Sequence, residues 1–193
     1  MKRKSCNPWI AFSLLLLACS LLLPSGLLAQ KRPTKLPDIH FVPTPHEVVE
    51  IMLRLADVKK SDVVYDLGCG DGRIVIAAAK KTGARAIGFD IDPERVKESK
   101  DNVKSAGVGH LVTIKEQDIF ELDLSGASVI TLYLLPELNV RLIPQLEKLK
   151  PGTRIVSHAF DMQGVQPDVE ATVYTSQGLP IPVFLWTTPL KKK

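Results

Sequence analysis

The fold of this 193-residue chain is decided by one stretch, Val63 to Arg73, which reads VVYDLGCGDGR. Its first half has the apolar and β-branched residues of a short strand, and Ile74 to Lys81 continues with the apolar spacing of a helix. Between them lie three glycines, which allow the backbone to adopt left-handed conformations and to approach a ligand closely. In open α/β sheets ligands bind beyond the carboxyl ends of the strands, so we expect a ligand site at this turn.

The spacing of the glycines argues against a dinucleotide site. Such a site needs the order G-x-G-x-x-G, in which the third glycine lets the helix pack closely on the strand. Counted from Gly68 and Gly70, the third position is Arg73, whose bulk does not suit that packing. The remaining pattern is D-x-G-x-G-x-G, with Asp66 at the end of the strand.

Strands and helices alternate on both sides of this turn. A helix follows Pro45, two more are predicted after Asp92 and from Leu138 to Leu149, and Pro144 is expected to kink or split the last. The further predicted strands are Ala84–Phe89, Leu111–Lys115, Ser128–Leu135 and Arg154–Phe160, followed by a hairpin of Thr172–Thr175 and Val183–Thr187. This order predicts an α/β fold: a Rossmann-like, mostly parallel sheet of seven strands with a C-terminal antiparallel hairpin and helices on both faces.

Acidic residues follow the ends of the next two strands, where they would reach the same ligand. Asp90 can accept hydrogen bonds from both hydroxyls of a ribose, and Ile91 would lie against an adenine ring. Asp92 is better explained as a helix N-cap, because a proline follows it. Asp118, after the third strand, can accept from the adenine amino group while Ile119 packs on the ring.

These positions would bind three parts of one cofactor. Asp66 is placed to accept from the amino group of a methionine moiety, and Gly68, Cys69 and Gly70 form the turn beside it. We interpret Cys69 as the small residue that this turn requires rather than as a nucleophile, because no histidine partner motif is recognisable nearby. Amino acid, ribose and base together indicate S-adenosyl-L-methionine.

With these motifs in place, the sequence resembles the class I S-adenosylmethionine-dependent methyltransferases. Within that class it is similar to the small protein lysine methyltransferases of the archaeal broad-specificity type and their mitochondrial relatives, which modify a membrane component of ATP synthase and the adenine nucleotide translocase. The resemblance is carried by FVPTP at 41–45, VYDLGCGDGRI at 64–74, TLYLL at 131–135 and GTRIVSH at 152–158. It implies methyl transfer to accessible lysines of a protein partner, membrane-associated proteins included.

Three further residues become candidates through this resemblance. The segment before the first helix closes over the cofactor in that family, which would bring Thr44 to the methionine end; Thr44 can equally cap the helix, because a proline follows it. Tyr133 is a candidate for lining the pocket of the acceptor amine, and its alternative is a core aromatic. His158 is a candidate proton acceptor, and its alternative is a buried core histidine.

Two other functions stay open, and two classes of ligand are not expected. A small-molecule methyltransferase is one alternative, although the chain has no room for an inserted lid that would enclose a small substrate. A cofactor-binding module without catalysis, tethered to a membrane complex, is the other. Much of the formal charge of +4 comes from the leader, so no basic face for nucleic acid is expected. The histidines lack the spacing of metal ligands, so no metal is expected.

The first 29 residues have the composition of a targeting segment. A positive start, Met1–Lys4, precedes an uncharged Leu-rich run at 8–29, which is typical of a signal peptide or a membrane anchor. We therefore expect a leader at 1–29, a linker at 30–39 and a methyltransferase domain at 40–190. The expected localisation is membrane-anchored through 8–29, or exported if the chain is cleaved after Ala29.

Overall fold

Four α-helices and nine strands make up residues 40–193, the part of the chain that the computed structural model describes. The helices are α1 (His46–Leu55), α2 (Arg73–Thr82), α3 (Pro93–Ser105) and α4 (Pro136–Leu146), and Ile119–Glu121 forms a 3-10 turn. The strands are β1 (Val63–Leu67), β2 (Arg85–Asp90), β3 (Val112–Glu116), β4 (Val129–Leu132), β5 (Arg154–His158), β6 (Val165–Gln166), β7 (Val169–Tyr174), β8 (Pro180–Thr187) and β9 (Lys191–Lys192).

Seven of these strands form one sheet in the order β3-β2-β1-β4-β5-β8-β7. The first five strands of the chain pair in parallel, whereas β8 lies antiparallel to both β5 and β7. This arrangement confirms the predicted fold class. The chain moves outward from β1 to β3 and then returns to β4, so the order reverses between β1 and β4. A crevice at the carboxyl ends of these two strands is therefore the expected position of a ligand.

The sheet is covered on both faces, as the apolar runs in its strands require. Helices α1, α2 and α3 pack on one face, where Val64, Ala86 and Val129 belong to their cluster of buried side chains. Helix α4 and the loop before β4 pack on the opposite face over Ile130 and Leu132. Every residue of β4 is buried because parallel strands between two helical layers have no solvent-facing side.

Several predicted bounds are shifted by a few residues, and two differences, in α4 and β5, have local reasons. Helix α4 runs without interruption from Pro136 to Leu146: Pro144 removes one backbone hydrogen bond, but it lies in the last turn, so only Gln145 and Leu146 follow it and there is no second helical segment to tilt. Strand β5 ends at His158 rather than at Phe160, since Ala159 has a φ of 64°, a conformation that leaves the extended region.

Opposite the predicted site, a polar cluster joins the starts of three neighbouring strands. The Asp62 carboxylate accepts from the Ser128 hydroxyl at 2.7 Å and from the Lys59 amide at 2.7 Å, and it pairs with the Arg154 guanidinium. Burial alone would raise the pKa of Asp62, but these hydrogen bonds and the Arg154 charge lower it instead. The cluster fixes the register of β1, β4 and β5 at the end of the sheet remote from the ligand crevice.

The predicted localisation is contradicted. Across residues 40–193, no helix is long and apolar enough to cross a bilayer. The leader at 1–29 and the linker at 30–39, on which the membrane-anchored or exported localisation depended, lie outside the described residues.

Candidate functional site

A cavity of about 510 Å³ lies at the carboxyl ends of β1, β2 and β4. Nine of the residues singled out from the sequence line it, and they come from segments spread over most of the domain. These nine are Thr44, Asp66, Gly68, Cys69, Asp90, Ile91, Asp118, Ile119 and Tyr133. Two other candidates, Gly70 and His158, are not part of the wall but contact residues that are.

The glycine turn brings its backbone to the wall of this cavity. Gly68 and Gly70 have φ values of 81° and 53°, in the left-handed region that favours glycine. A Cβ added to Gly70 would lie 2.2 Å from the ring of Phe41, and one added to Gly68 would lie 3.0 Å from Leu134. Glycine is therefore required at residue 70 for two reasons, the backbone conformation and the approach of the Phe41 ring.

Asp66 is a buried carboxylate with one oxygen still available. Its Oδ1 accepts a hydrogen bond of 2.7 Å from the Thr131 hydroxyl on β4. Its Oδ2 is also buried and has no hydrogen-bond partner among residues 40–193. Burial raises the pKa of Asp66 to about 7, and the nearby Asp90 and Asp71 charges add to this shift. A cationic hydrogen-bond donor that reaches Oδ2 would offset the cost of burying the ionised carboxylate.

Asp90 is held by the backbone with its carboxylate at the cavity. Its Oδ2 accepts from the Gly70 amide at 2.8 Å, and its Oδ1 accepts from the Asp92 amide at 3.0 Å. Each carboxylate oxygen has a second lone pair, so both can still accept from hydroxyl groups. Burial raises the pKa of Asp90, although these backbone hydrogen bonds oppose the shift.

Asp92 caps helix α3, and Asp118 caps the 3-10 turn at Ile119–Glu121. The Asp92 side chain accepts from the Glu94 amide at 2.8 Å, which confirms the predicted N-cap of α3. Asp118 accepts from the Phe120 amide at 3.0 Å and so begins the 3-10 turn that carries Ile119. Both acids also line the cavity, so capping fixes the direction in which each carboxylate points.

Cys69 is buried within the glycine turn, as its proposed packing role requires. A Cβ added to Gly88 on β2 would lie 2.8 Å from the Cys69 sulfur, which shows how closely the turn packs on this strand. Burial raises the pKa of the Cys69 thiol. The thiolate needed for nucleophilic chemistry is accordingly disfavoured.

The residues before α1 form a lid segment, residues 40–44, along one side of the cavity. Helix α1 begins at His46 with Pro45 as its N-cap and no side-chain cap, so Thr44 is not the capping residue. The carbonyl of Thr44 instead accepts from Arg73 at 2.8 Å, while Arg73 also pairs with Asp71 in the glycine turn. The Arg73 guanidinium therefore ties the lid segment to the turn.

Two contacts that hold the lid segment leave little trace in the sequence. From the sequence, Arg73 is informative only as the residue that excludes a dinucleotide. The ring of Phe41 lies over Gly70 and beneath the Arg95 guanidinium, which is 5.2 Å from the ring centroid. Each partner lies on a different element, so no local pattern connects them. The aromatic residue just before the Val-Pro-Thr segment is the one available signal.

Tyr133 and His158 lie together at the ends of β4 and β5. Tyr133 lines the cavity, and its ring stacks on His158 with centroids 3.8 Å apart. His158 is buried, and burial lowers its pKa to about 4, so the ring is neutral at neutral pH. Phe160 also lines the cavity and stacks on Tyr133 at 6.3 Å. The structure thus supports the core interpretation of His158 and brings Tyr133 to the cavity.

The sheet order and the glycine turn with its acidic neighbours define a class I S-adenosylmethionine-dependent methyltransferase. The model of the ANTKMT methyltransferase domain matches residues 66–169, and a DNA methylase model matches residues 24–101. The chain belongs to the ANTKMT methyltransferase family.

The chain is similar to two proteins of described activity and to one solved structure. A protein-lysine N-methyltransferase of Saccharolobus islandicus is 48% identical over 133 residues, which is 68% of this chain and 83% of that protein. A ribosomal protein L11 methyltransferase of Caldanaerobacter subterraneus is 32% identical over 112 residues, which is 57% of this chain and 36% of that protein. A crystal structure of an RNA methyltransferase from Salinibacter ruber with S-adenosyl-L-homocysteine has a TM-score of 0.72 and 52% identity, covering 77% of this chain and 94% of that one.

Proposed function

We propose that this chain transfers a methyl group from S-adenosyl-L-methionine to the side-chain amine of lysine in a protein substrate. The observation that carries the cofactor part is Asp66, which lines the cavity and whose buried Oδ2 has no hydrogen-bond partner in the described part of the chain. The acceptor part rests on the 48% identity to a protein-lysine N-methyltransferase.

The residues of the cavity fit each part of this cofactor. Asp66 would accept from its ammonium group, Asp90 from its ribose hydroxyls, and Asp118 from the adenine amino group, with Ile91 and Ile119 against the base. Five aspartates and two arginines line the cavity, so its charge complements a cationic ligand. When bound, the cofactor supplies an electrophilic methyl group on a positively charged sulfur.

The other side of the cavity is suited to a neutral amine. An acceptor wall is formed by Tyr133, Leu135, Leu138 and Phe160, none of which carries a charge. Apolar surroundings disfavour the protonated form of a lysine amine and so favour the form that can attack. The chain's contribution to the rate would then be desolvation of the amine and its orientation toward the methyl group.

A second candidate acceptor is RNA, because the Salinibacter ruber protein with 52% identity is described as an RNA methyltransferase. The two acceptors require different side chains around the site. RNA binding requires basic side chains around the site to contact phosphates, whereas the acceptor wall is uncharged and the five aspartates of the cavity outnumber its two arginines. We favour the protein acceptor for this reason.

The test is a transfer assay with radiolabelled S-adenosylmethionine on total protein and total RNA, followed by separate protease and ribonuclease treatments. Label on lysine after amino-acid hydrolysis would support the proposal, and label sensitive only to ribonuclease would support the RNA acceptor. Label found only in small molecules would reject both. Asp90→Ala should lower transfer to every acceptor, because it weakens cofactor binding, while Asp123→Ala on the surface serves as the matched control.

A further inference from the structure

The two segments that mark the family, Val-Pro-Thr and Val-Ser-His, meet at one hydrogen bond. Thr44 Oγ1 lies 3.0 Å from His158 Nδ1, although the residues are 114 positions apart in the sequence. Both side chains are buried, with exposed fractions of 3% and 2%. His158 is not part of the cavity wall, so direct contact with cofactor or acceptor does not explain this arrangement.

The face of the His158 ring makes a second contact, with Tyr133. The ring stacks on Tyr133 with an interplanar angle of 30°, and Tyr133 belongs to the acceptor wall. Through Thr44, the same imidazole contacts the lid segment, which Arg73 holds against the glycine turn. The buried side chain of His158 thus contacts both the lid segment and the acceptor wall.

We infer that His158 is a positioning residue that fixes the lid segment through Thr44 and fixes the acceptor wall through Tyr133. The part that concerns the acceptor rests on the proposed function. The imidazole acts without gaining or losing a proton: its ring is uncharged at neutral pH, and hydrogen bonding to a hydroxyl needs no charge.

Three variants separate the two contacts. Thr44→Val removes the hydrogen bond from one side at nearly constant shape, and His158→Phe removes it from the other side while keeping a ring against Tyr133. His158→Ala removes both contacts. Thr172→Val is the matched control, because Thr172 is exposed on β7.

The expected results follow from which contact is lost. Thr44→Val and His158→Phe should each weaken binding of S-adenosylhomocysteine, measured by calorimetry, about fivefold, the effect of one neutral hydrogen bond. The double variant should be no weaker than the poorer single variant, because both changes remove the same bond. His158→Ala should in addition raise the acceptor KM severalfold, which His158→Phe should not do.

A measurement on the free protein tests the hydrogen bond without any ligand. Amide hydrogen exchange at Val48 and Val49, whose amides donate to the carbonyl of Pro45 just after the lid segment, should be faster in Thr44→Val and His158→Phe than in the wild type or in Thr172→Val. Unchanged exchange, or additive losses of affinity in the double variant, would overturn the link to the lid segment. Equal acceptor KM values for His158→Ala and His158→Phe would overturn the link to the acceptor wall.

The failure of this inference can be told from the failure of the proposed function. A wild-type protein that neither binds the cofactor nor transfers methyl groups would reject the function, and hydrogen exchange would still decide the Thr44–His158 link. Should His158→Phe fail to fold, Thr44→Val and its exchange pattern decide the same question.

Discussion

Replacing Asp66 by asparagine should weaken cofactor binding and at the same time stabilise the free protein. The reason is that the carboxylate is buried with Oδ2 unsatisfied within residues 40–193, so its charged form is costly until a cation arrives. Asparagine keeps the oxygen that accepts from Thr131 and replaces the unsatisfied oxygen by an uncharged amide.

The size of the stabilisation follows from the pKa of Asp66. Burial raises this pKa from 3.8 to about 7, and each unit corresponds to about 1.4 kcal/mol. At pH 8 the group is ionised in both states, so the folded protein loses up to about 4 kcal/mol relative to the unfolded chain. Because the folded pKa is raised, the free wild-type protein gains stability from this group as the pH falls from about 7 toward 4.

Binding should show the opposite pH dependence. The ionised carboxylate is the form that pairs with an ammonium group, so the Kd for S-adenosylhomocysteine should be about tenfold higher at pH 6 than at pH 8. Asp66→Asn should lose this pH dependence and bind about 10- to 100-fold more weakly at pH 8, as expected for the loss of a charge-assisted hydrogen bond.

The assay is isothermal calorimetry at pH 6, 7 and 8, with thermal unfolding of the free proteins measured in the same buffers. Asp123→Asn is the control, since Asp123 is a surface carboxylate outside the cavity. A wild-type Kd independent of pH, or an asparagine variant that binds as tightly as the wild type, would refute the assignment of Asp66 to the ammonium group. A free variant with a lower Tm than the wild type at pH 8 would refute the reasoning about burial.

Three further predictions concern the lid segment, the glycine turn and the stability of the sheet. Arg73→Met should raise the cofactor Kd about tenfold in calorimetry, because the Thr44 carbonyl loses its hydrogen bond. An unchanged Kd would show that cofactor binding does not depend on the link that Arg73 makes between the lid segment and the glycine turn. Gly70→Ala should weaken binding by displacing the Phe41 ring, and Phe41→Ala in the same chain should recover part of the affinity unless backbone strain alone is responsible. Asp62→Asn should destabilise the fold by about 3 kcal/mol in urea unfolding at pH 7. Because the folded pKa of Asp62 is lowered, this difference should shrink as the pH falls below about 4, and a constant difference would contradict the ion pair with Arg154.

The parts of the site that lie next to each other in the sequence were predictable. Asp92 is recognisable as an N-cap from the proline after it, and the structure shows its side chain accepting from the Glu94 amide. Asp66 and Asp90 are recognisable because each lies at the carboxyl end of a strand, and parallel strands bring these ends to one edge of the sheet.

The contacts that close the site were not predictable from one sequence. Arg73 reaches a carbonyl 29 positions away, and His158 reaches a hydroxyl 114 positions away. Apolar periodicity reports on which face of an element is buried, but it does not report which side chain of another element lies there. Thr44 illustrates the consequence: its position before a proline suggested a helix cap, whereas its hydroxyl is hydrogen-bonded to the last residue of β5.

The ring of Phe41 occupies the space into which any side chain at residue 70 would project. The two positions therefore restrict each other during divergence of such chains. A large aromatic at residue 41 keeps residue 70 a glycine, and a smaller residue at 41 would have to come first before residue 70 could change. The permitted order of substitutions is set by this contact, in addition to the demand that the turn itself makes on its backbone.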